Sequence, residues 1–154
     1  MKDQKINFAI VGCGRIGQRF AALVKAHPLA RLSALCEHEP KLHSAVKPFA
    51  VPVYQSMSKM MSEQPDVDVI YIATPNALHS VQAVKALVAG FHVVVEKPLA
   101  LTKSEAEKII FTALQKTRHV FGVMQNRYSP PAACLQQMLD SGHLGQINMV
   151  QINC

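Results

Sequence analysis

Apolar positions along this 154-residue chain switch repeatedly between two rhythms. Short unbroken apolar runs, the mark of strands, give way to stretches with apolar residues three and four apart, the mark of helices. The pattern predicts strands at Ile6–Val11, Ala30–Cys36, Val51–Tyr54, Asp68–Ala73, Phe91–Val95 and Val120–Met124. Between and after them it predicts helices at Arg15–Ala26, Pro40–Val46, Ser56–Ser62, Leu78–Ala89, Thr102–Lys116 and Pro131–Ser141. In Arg15–Ala26 the apolar stripe is Ile16, Phe20, Leu23 and Val24, and His27-Pro28 ends it. Ser56 is placed to cap the third helix, Thr102 with Glu105 forms a capping-box pair, and Gly90 and Gly142 stand where helices stop. Val69-Ile70-Tyr71-Ile72-Ala73 is apolar throughout, as expected of a strand covered on both faces. Alternation of strand and helix argues for an α/β fold, a doubly wound, mainly parallel sheet.

The last segment, Gln146–Cys154, mixes Ile147, Met149, Val150 and Ile152 with polar residues and is predicted to be a further strand. An exposed apolar edge is a liability. We therefore expect this strand to pair with another chain, or the sequence to be the front part of something longer.

Composition narrows the classes. Nearly half the residues are apolar, enough to bury a core, and the length suits one domain. No apolar run approaches the roughly 20 residues that span a bilayer, and Met1-Lys2-Asp3-Gln4-Lys5 is not followed by a secretory h-region. Cys13, Cys36, Cys134 and Cys154 show no C-x-x-C spacing, so we expect reduced thiols in a cytoplasmic protein with no membrane partner. The net charge of +6 comes from scattered basic residues, which argues against nucleic acid and for a solvated surface that favours anionic small molecules. The seven histidines never meet another ligand at metal spacing, so no metal is expected.

The chemistry gathers where strands end. Gly12-Cys13-Gly14-Arg15-Ile16-Gly17 follows the first strand and opens a helix, the context in which G-x-G-x-x-G holds a pyrophosphate. Gly12 allows the sharp turn, Gly14 lets phosphate reach the backbone, and Gly17 lets the helix pack closely. Glu37, about 20 residues on, ends the second strand, where a carboxylate bonds the adenosine ribose hydroxyls and repels a 2′-phosphate. That favours NAD, although Lys41 and His43 leave NADP open. Ala73-Thr74-Pro75-Asn76 follows the central strand; Asn76 suits a helix cap or a cofactor contact, and His79 a structural role or the cofactor. Glu96-Lys97-Pro98 follows the next strand. It is either a surface ion pair or a working ammonium, which a cis X-Pro bond would aim into the cleft. In Gln125-Asn126-Arg127-Tyr128 the amide and guanidinium suit a nicotinamide carboxamide or an anionic substrate, or the segment is turn chemistry before Pro130-Pro131.

Together these motifs resemble the glucose–fructose oxidoreductase / inositol 2-dehydrogenase (Gfo/Idh/MocA) family, in order and separation along the whole chain. The resemblance implies NAD(P)-dependent hydride transfer at a ring hydroxyl of a sugar, cyclitol or nucleotide sugar. It implies that Gly12, Gly14, Arg15, Ile16 and Gly17 wrap the pyrophosphate and that Glu37 holds the adenosine ribose. Thr74, Asn76, His79 and Gln125 would line the cofactor, with Glu96 near the nicotinamide ribose. Lys97 would meet the reacting hydroxyl, with Arg127 and Tyr128 toward the substrate. The run Met124–Pro131 also resembles the branch acting on nucleotide sugars for surface polysaccharides. The family carries a second, larger α/β domain that completes the active site and forms a homo-oligomer interface. We therefore expect residues 1–125 to be the Rossmann domain and 126–154 a connecting helix and first strand, with little turnover from this chain alone. A non-catalytic dinucleotide-binding or redox-sensing module, and an S-adenosylmethionine methyltransferase, are the competing readings; Gly17 and Glu96-Lys97-Pro98 speak against the latter.

Overall fold

The structure, a computed structural model, describes residues 5–152. Cys154, and with it the end of the expected last strand, lies outside that range. The chain forms two compact units, Met1–Val123 and Met124–Cys154.

In the first unit, six parallel strands stand in the order β3-β2-β1-β4-β5-β6. They are β1 (Ile6–Val11), β2 (Ala30–Cys36), β3 (Val53–Tyr54), β4 (Val69–Ile72), β5 (His92–Val95) and β6 (Val120–Gly122). The strand order reverses between β1 and β4, the place where open α/β sheets receive ligands at their carboxyl ends. Strand alternation splits the core in two. Ala9, Val11, Ile70, Ile72, Val93 and Val95 face one way and pack with residues of α3 (Met57–Glu63), α4 (His79–Val88) and α5 (Lys103–Gln115). Ile10, Leu35 and Tyr71 face the other way, with residues of α1 (Arg15–Ala26) and α2 (Pro40–Val46). Leu32 and Leu35 share that second face although they are three apart. The reason is a register shift: Phe8 pairs Leu32 while Ala9 pairs Ala34, so Ser33 has no opposite residue on β1.

Local signals account for the helix ends. Ser56 caps α3 by accepting from the Lys59 N–H, and the Thr102/Glu105 capping box is complete at α5. Gly90, at φ +96, follows the end of α4 in the left-handed conformation that favours glycine. Three expectations need correction. Strand β3 starts at Val53, after Pro52, which has no N–H to give to the ladder. Asn76 does not cap α4; it lies in a 3-10 turn, Asn76–Leu78, that runs into the helix. The expected strand from Gln146 is absent across residues 146–152, where side-chain alternation has no neighbouring ladder to complete. Among the described residues, the regular elements of the second unit are a 3-10 turn, Gln125–Tyr128, and helix α6 (Pro130–Asp140), capped by Ser129.

Candidate functional site

The three glycines after β1 serve different ends. Gly12 has φ +89, and a Cβ there would stand 2.7 Å from the Ala73 carbonyl carbon and oxygen, at the end of β4. A Cβ on Gly17 would come within 1.9 Å of the Gly12 carbonyl oxygen. Protein packing alone therefore requires both. Gly14 has an ordinary φ of −64, and a Cβ there would meet nothing within 4 Å. The space over Gly14 is open and borders the first turn of α1, which contains no acidic residue. Exposed Arg15 and Ile16 open that turn, and its backbone N–H groups are donors for an anion. This is a cradle that a dinucleotide pyrophosphate fits.

Glu37 is buried beside the same turn. One carboxylate oxygen accepts from the Cys13 N–H at 2.7 Å, and the other from the Glu39 N–H at 2.9 Å. His38 Nδ1 lies 3.3 Å from that second oxygen, and His43 Nε2 is 2.7 Å from the Glu37 carbonyl. A carboxylate offers about four lone-pair sites. Two are held by backbone and His38 approaches a third, which leaves acceptor capacity for a hydroxyl donor. Gln18 ties the turn from the other side, donating to the Cys13 carbonyl at 2.8 Å. Burial, and after it the charge of Glu37, pushes the Cys13 thiol up to about 12 and Cys36 to about 11. Both stay neutral thiols and are poor nucleophiles.

The β4 and β5 ends form the other half. The Thr74 hydroxyl donates to Gln82 Oε1 at 2.6 Å, and Asn76 is exposed. His79 has no exposed surface; its ring nitrogens lie 2.8 Å from the carbonyl oxygens of Pro98 and Thr74. The ring thus joins two loops, and no edge of it is left to line a cofactor. Glu96 accepts from the Tyr71 hydroxyl with one oxygen and from the Lys97 N–H, at 3.2 Å, with the other. Tyr71 stacks on Phe20 of α1 with ring centroids 3.6 Å apart. Burial and the bond to Glu96 hold the Tyr71 hydroxyl above its ordinary range, so it remains a donor. The Lys97–Pro98 peptide is cis. Lys97 is exposed and meets Glu96 through its backbone, so the surface ion pair is not what forms there. Among the described residues its ammonium has no hydrogen bond or ion pair.

Gln125, Arg127 and Tyr128 lie in the second unit, all exposed on its 3-10 turn. Sequence reasoning missed the Cys13 amide, His43 and Tyr71 as supports of the site. Tyr71 counted as one more core position, and only its register beside Val94 on β5 brings it to Glu96.

Comparison with known proteins matches residues 6–124 to the oxidoreductase family with an NAD-binding Rossmann fold, Gfo/Idh/MocA. The chain is 30% identical to the levoglucosan dehydrogenase of Pseudarthrobacter phenanthrenivorans, covering 94% of this chain and 39% of that protein. The WlbA dehydrogenase of Bordetella pertussis, solved with NADH and UDP-GlcNAcA, superposes with a TM-score of 0.88 at 31% identity, over 94% of this chain and 44% of that one. The myo-inositol 2-dehydrogenase of Lactobacillus plantarum gives 0.85 at 26% identity, over 94% of this chain and 43% of that one. The chain thus spans about two fifths of the length of these relatives. Its strand order, its glycine turn facing Glu37 and the match over residues 6–124 place the chain in the Gfo/Idh/MocA family of oxidoreductases, with an NAD-binding Rossmann fold.

Proposed function

We propose that this chain forms the cofactor-holding part of an NAD-dependent oxidoreductase that acts on a ring hydroxyl or ketone of a sugar, cyclitol or nucleotide sugar. The observation that carries the reading is Glu37, buried, anchored by two backbone N–H groups, and with acceptor capacity left beside the glycine turn. Gly14 leaves the approach for the pyrophosphate, and the α1 N–H groups and Arg15 receive its charge. Glu37 takes the adenosine ribose hydroxyls and repels a 2′-phosphate. Thr74 and Asn76 border the cofactor on the β4 side, and Glu96, fixed by Tyr71, stands toward the nicotinamide ribose. When bound, the nicotinamide supplies the hydride acceptor or donor. Lys97, whose side-chain nitrogen is free of protein partners, holds the oxygen of the reacting hydroxyl and, as the neutral amine, takes up its proton to become the ammonium. Arg127, Tyr128 and Gln125 serve the substrate and the carboxamide. The nucleotide-sugar class draws support from the WlbA relative solved with UDP-GlcNAcA. Free Cys13, Cys36 and Cys134 suit a reducing, cytoplasmic setting.

Titration of the chain with NADH and NADPH, followed by nicotinamide fluorescence, tests the reading. NADH should bind more tightly, and Glu37→Gln should narrow the gap. Equal affinity would remove Glu37 from its role, and binding of neither would overturn the assignment of this chain as sufficient to hold the cofactor.

A further inference from the structure

His79 presents a donor problem with one solution. Its ring is fully buried, and each nitrogen lies 2.8 Å from a backbone carbonyl oxygen, Nδ1 from Pro98 and Nε2 from Thr74. Both partners are acceptors only. A neutral imidazole carries one N–H and one lone pair, so it would satisfy one carbonyl and set its lone pair against the other. A bare ring nitrogen held at hydrogen-bond distance from a carbonyl oxygen sets lone pair against lone pair inside a fully buried side chain, which is costly. A ring protonated on both nitrogens donates to each, through two charge-assisted bonds.

We infer that His79 is an imidazolium that clamps the loop after β4 to the loop after β5, and through that clamp is a positioning residue for Lys97. The inference rests on Lys97 being the group that meets the reacting hydroxyl. The Lys97 ammonium has no protein partner among the described residues, so backbone on each side sets its position. Before it stands Glu96, held by the Tyr71 hydroxyl; after it stands Pro98, held by His79. The other end of the clamp, Thr74, is fixed in turn by its own hydroxyl on Gln82. The two sides of the site are thereby joined beneath the surface by one ring.

Proton-detected nitrogen spectroscopy of the isotope-labelled chain near neutral pH tests this directly, without cofactor. His79 should show two protonated ring nitrogens with slowly exchanging protons, whereas one bare ring nitrogen would overturn the imidazolium. His79→Gln, which keeps a donor for only one loop, assigns the signal and tests the positioning. In that variant the amides of Thr74, Asn76, Glu96, Lys97 and Leu99 should shift together while those of Ala9 and Ile70 hold. NADH affinity should fall about fivefold, as expected for one lost buried hydrogen bond. Shifts confined to α4 with unchanged affinity would refute the clamp. Because the ring measurement uses no cofactor, failure of NADH to bind would count against the cofactor reading and leave the His79 result standing.

Discussion

The site has two halves that are built differently. On the β1–β2 side, position is dictated by packing: Gly12 and Gly17 have backbone where a side chain would go, and Glu37 is tied to two N–H groups. On the β4–β5 side, the proposed reacting group, Lys97, is exposed and its ammonium has no protein partner among the described residues, while the groups around it are fastened to one another. The binding half is over-determined by the fold. The reacting half is a fixed frame around one unengaged charge, as expected where a side chain must be available to a substrate.

The sharpest break in this comparison is Gly17→Ala. Its Cβ would overlap the Gly12 carbonyl, so a loss of more than about 3 kcal/mol is expected, read as a collapse of the denaturation midpoint. Gly14→Ala should separate ligand demand from protein demand. Stability should change by less than about 1 kcal/mol, because the added carbon meets open space at a helix start, while NADH affinity should drop by about tenfold or more. If both glycines cost stability equally, the distinction fails. Glu37→Gln should lower stability by about 1–2 kcal/mol through weakened bonds to the Cys13 and Glu39 amides, measured by urea unfolding. Alkaline titration sharpens the picture of the binding half further. The folded state holds the Cys13 proton to about 12 against an ordinary 9.0, and the Cys36 proton to about 11. The unfolded chain therefore binds fewer protons above about 9, and the contribution of these two thiols to stability should fall from there as pH rises. The smallest effect belongs to Lys97→Met, within about 0.5 kcal/mol of the unsubstituted chain, because the side chain is exposed. A large destabilisation there would show that the ammonium is part of the frame after all.

The two halves were also unequally legible from sequence. Helix α1 and strands β1 and β2 fall on the expected residues because their apolar rhythms, Gly12-x-Gly14 and His27-Pro28 are all local signals. So is the capping box at Thr102 and Glu105. What could not be seen are contacts made by register and by reach. Tyr71 meets Glu96 across 25 residues of chain, and His79 meets Pro98 across 19. No periodicity marks either pair. The expected strand from Gln146 failed for the same reason in reverse: alternation states which side of a ribbon is apolar, but a ladder needs a second strand, and that is not a local property.

Ser33 bears on the aim of Glu37 from well inside the sheet. Because it has no opposite residue on β1, every side chain after it on β2 is rotated by half a period, which brings Leu35, and Glu37 two residues on, to the side where Cys13 waits. Had β2 run flush from Leu32, that carboxylate would point away from the glycine turn. The length of this strand, counted to a single residue, therefore sets where the carboxylate proposed to hold the ribose points, and a one-residue deletion at Ser33 would act as a change of aim with no change in the residue that is aimed.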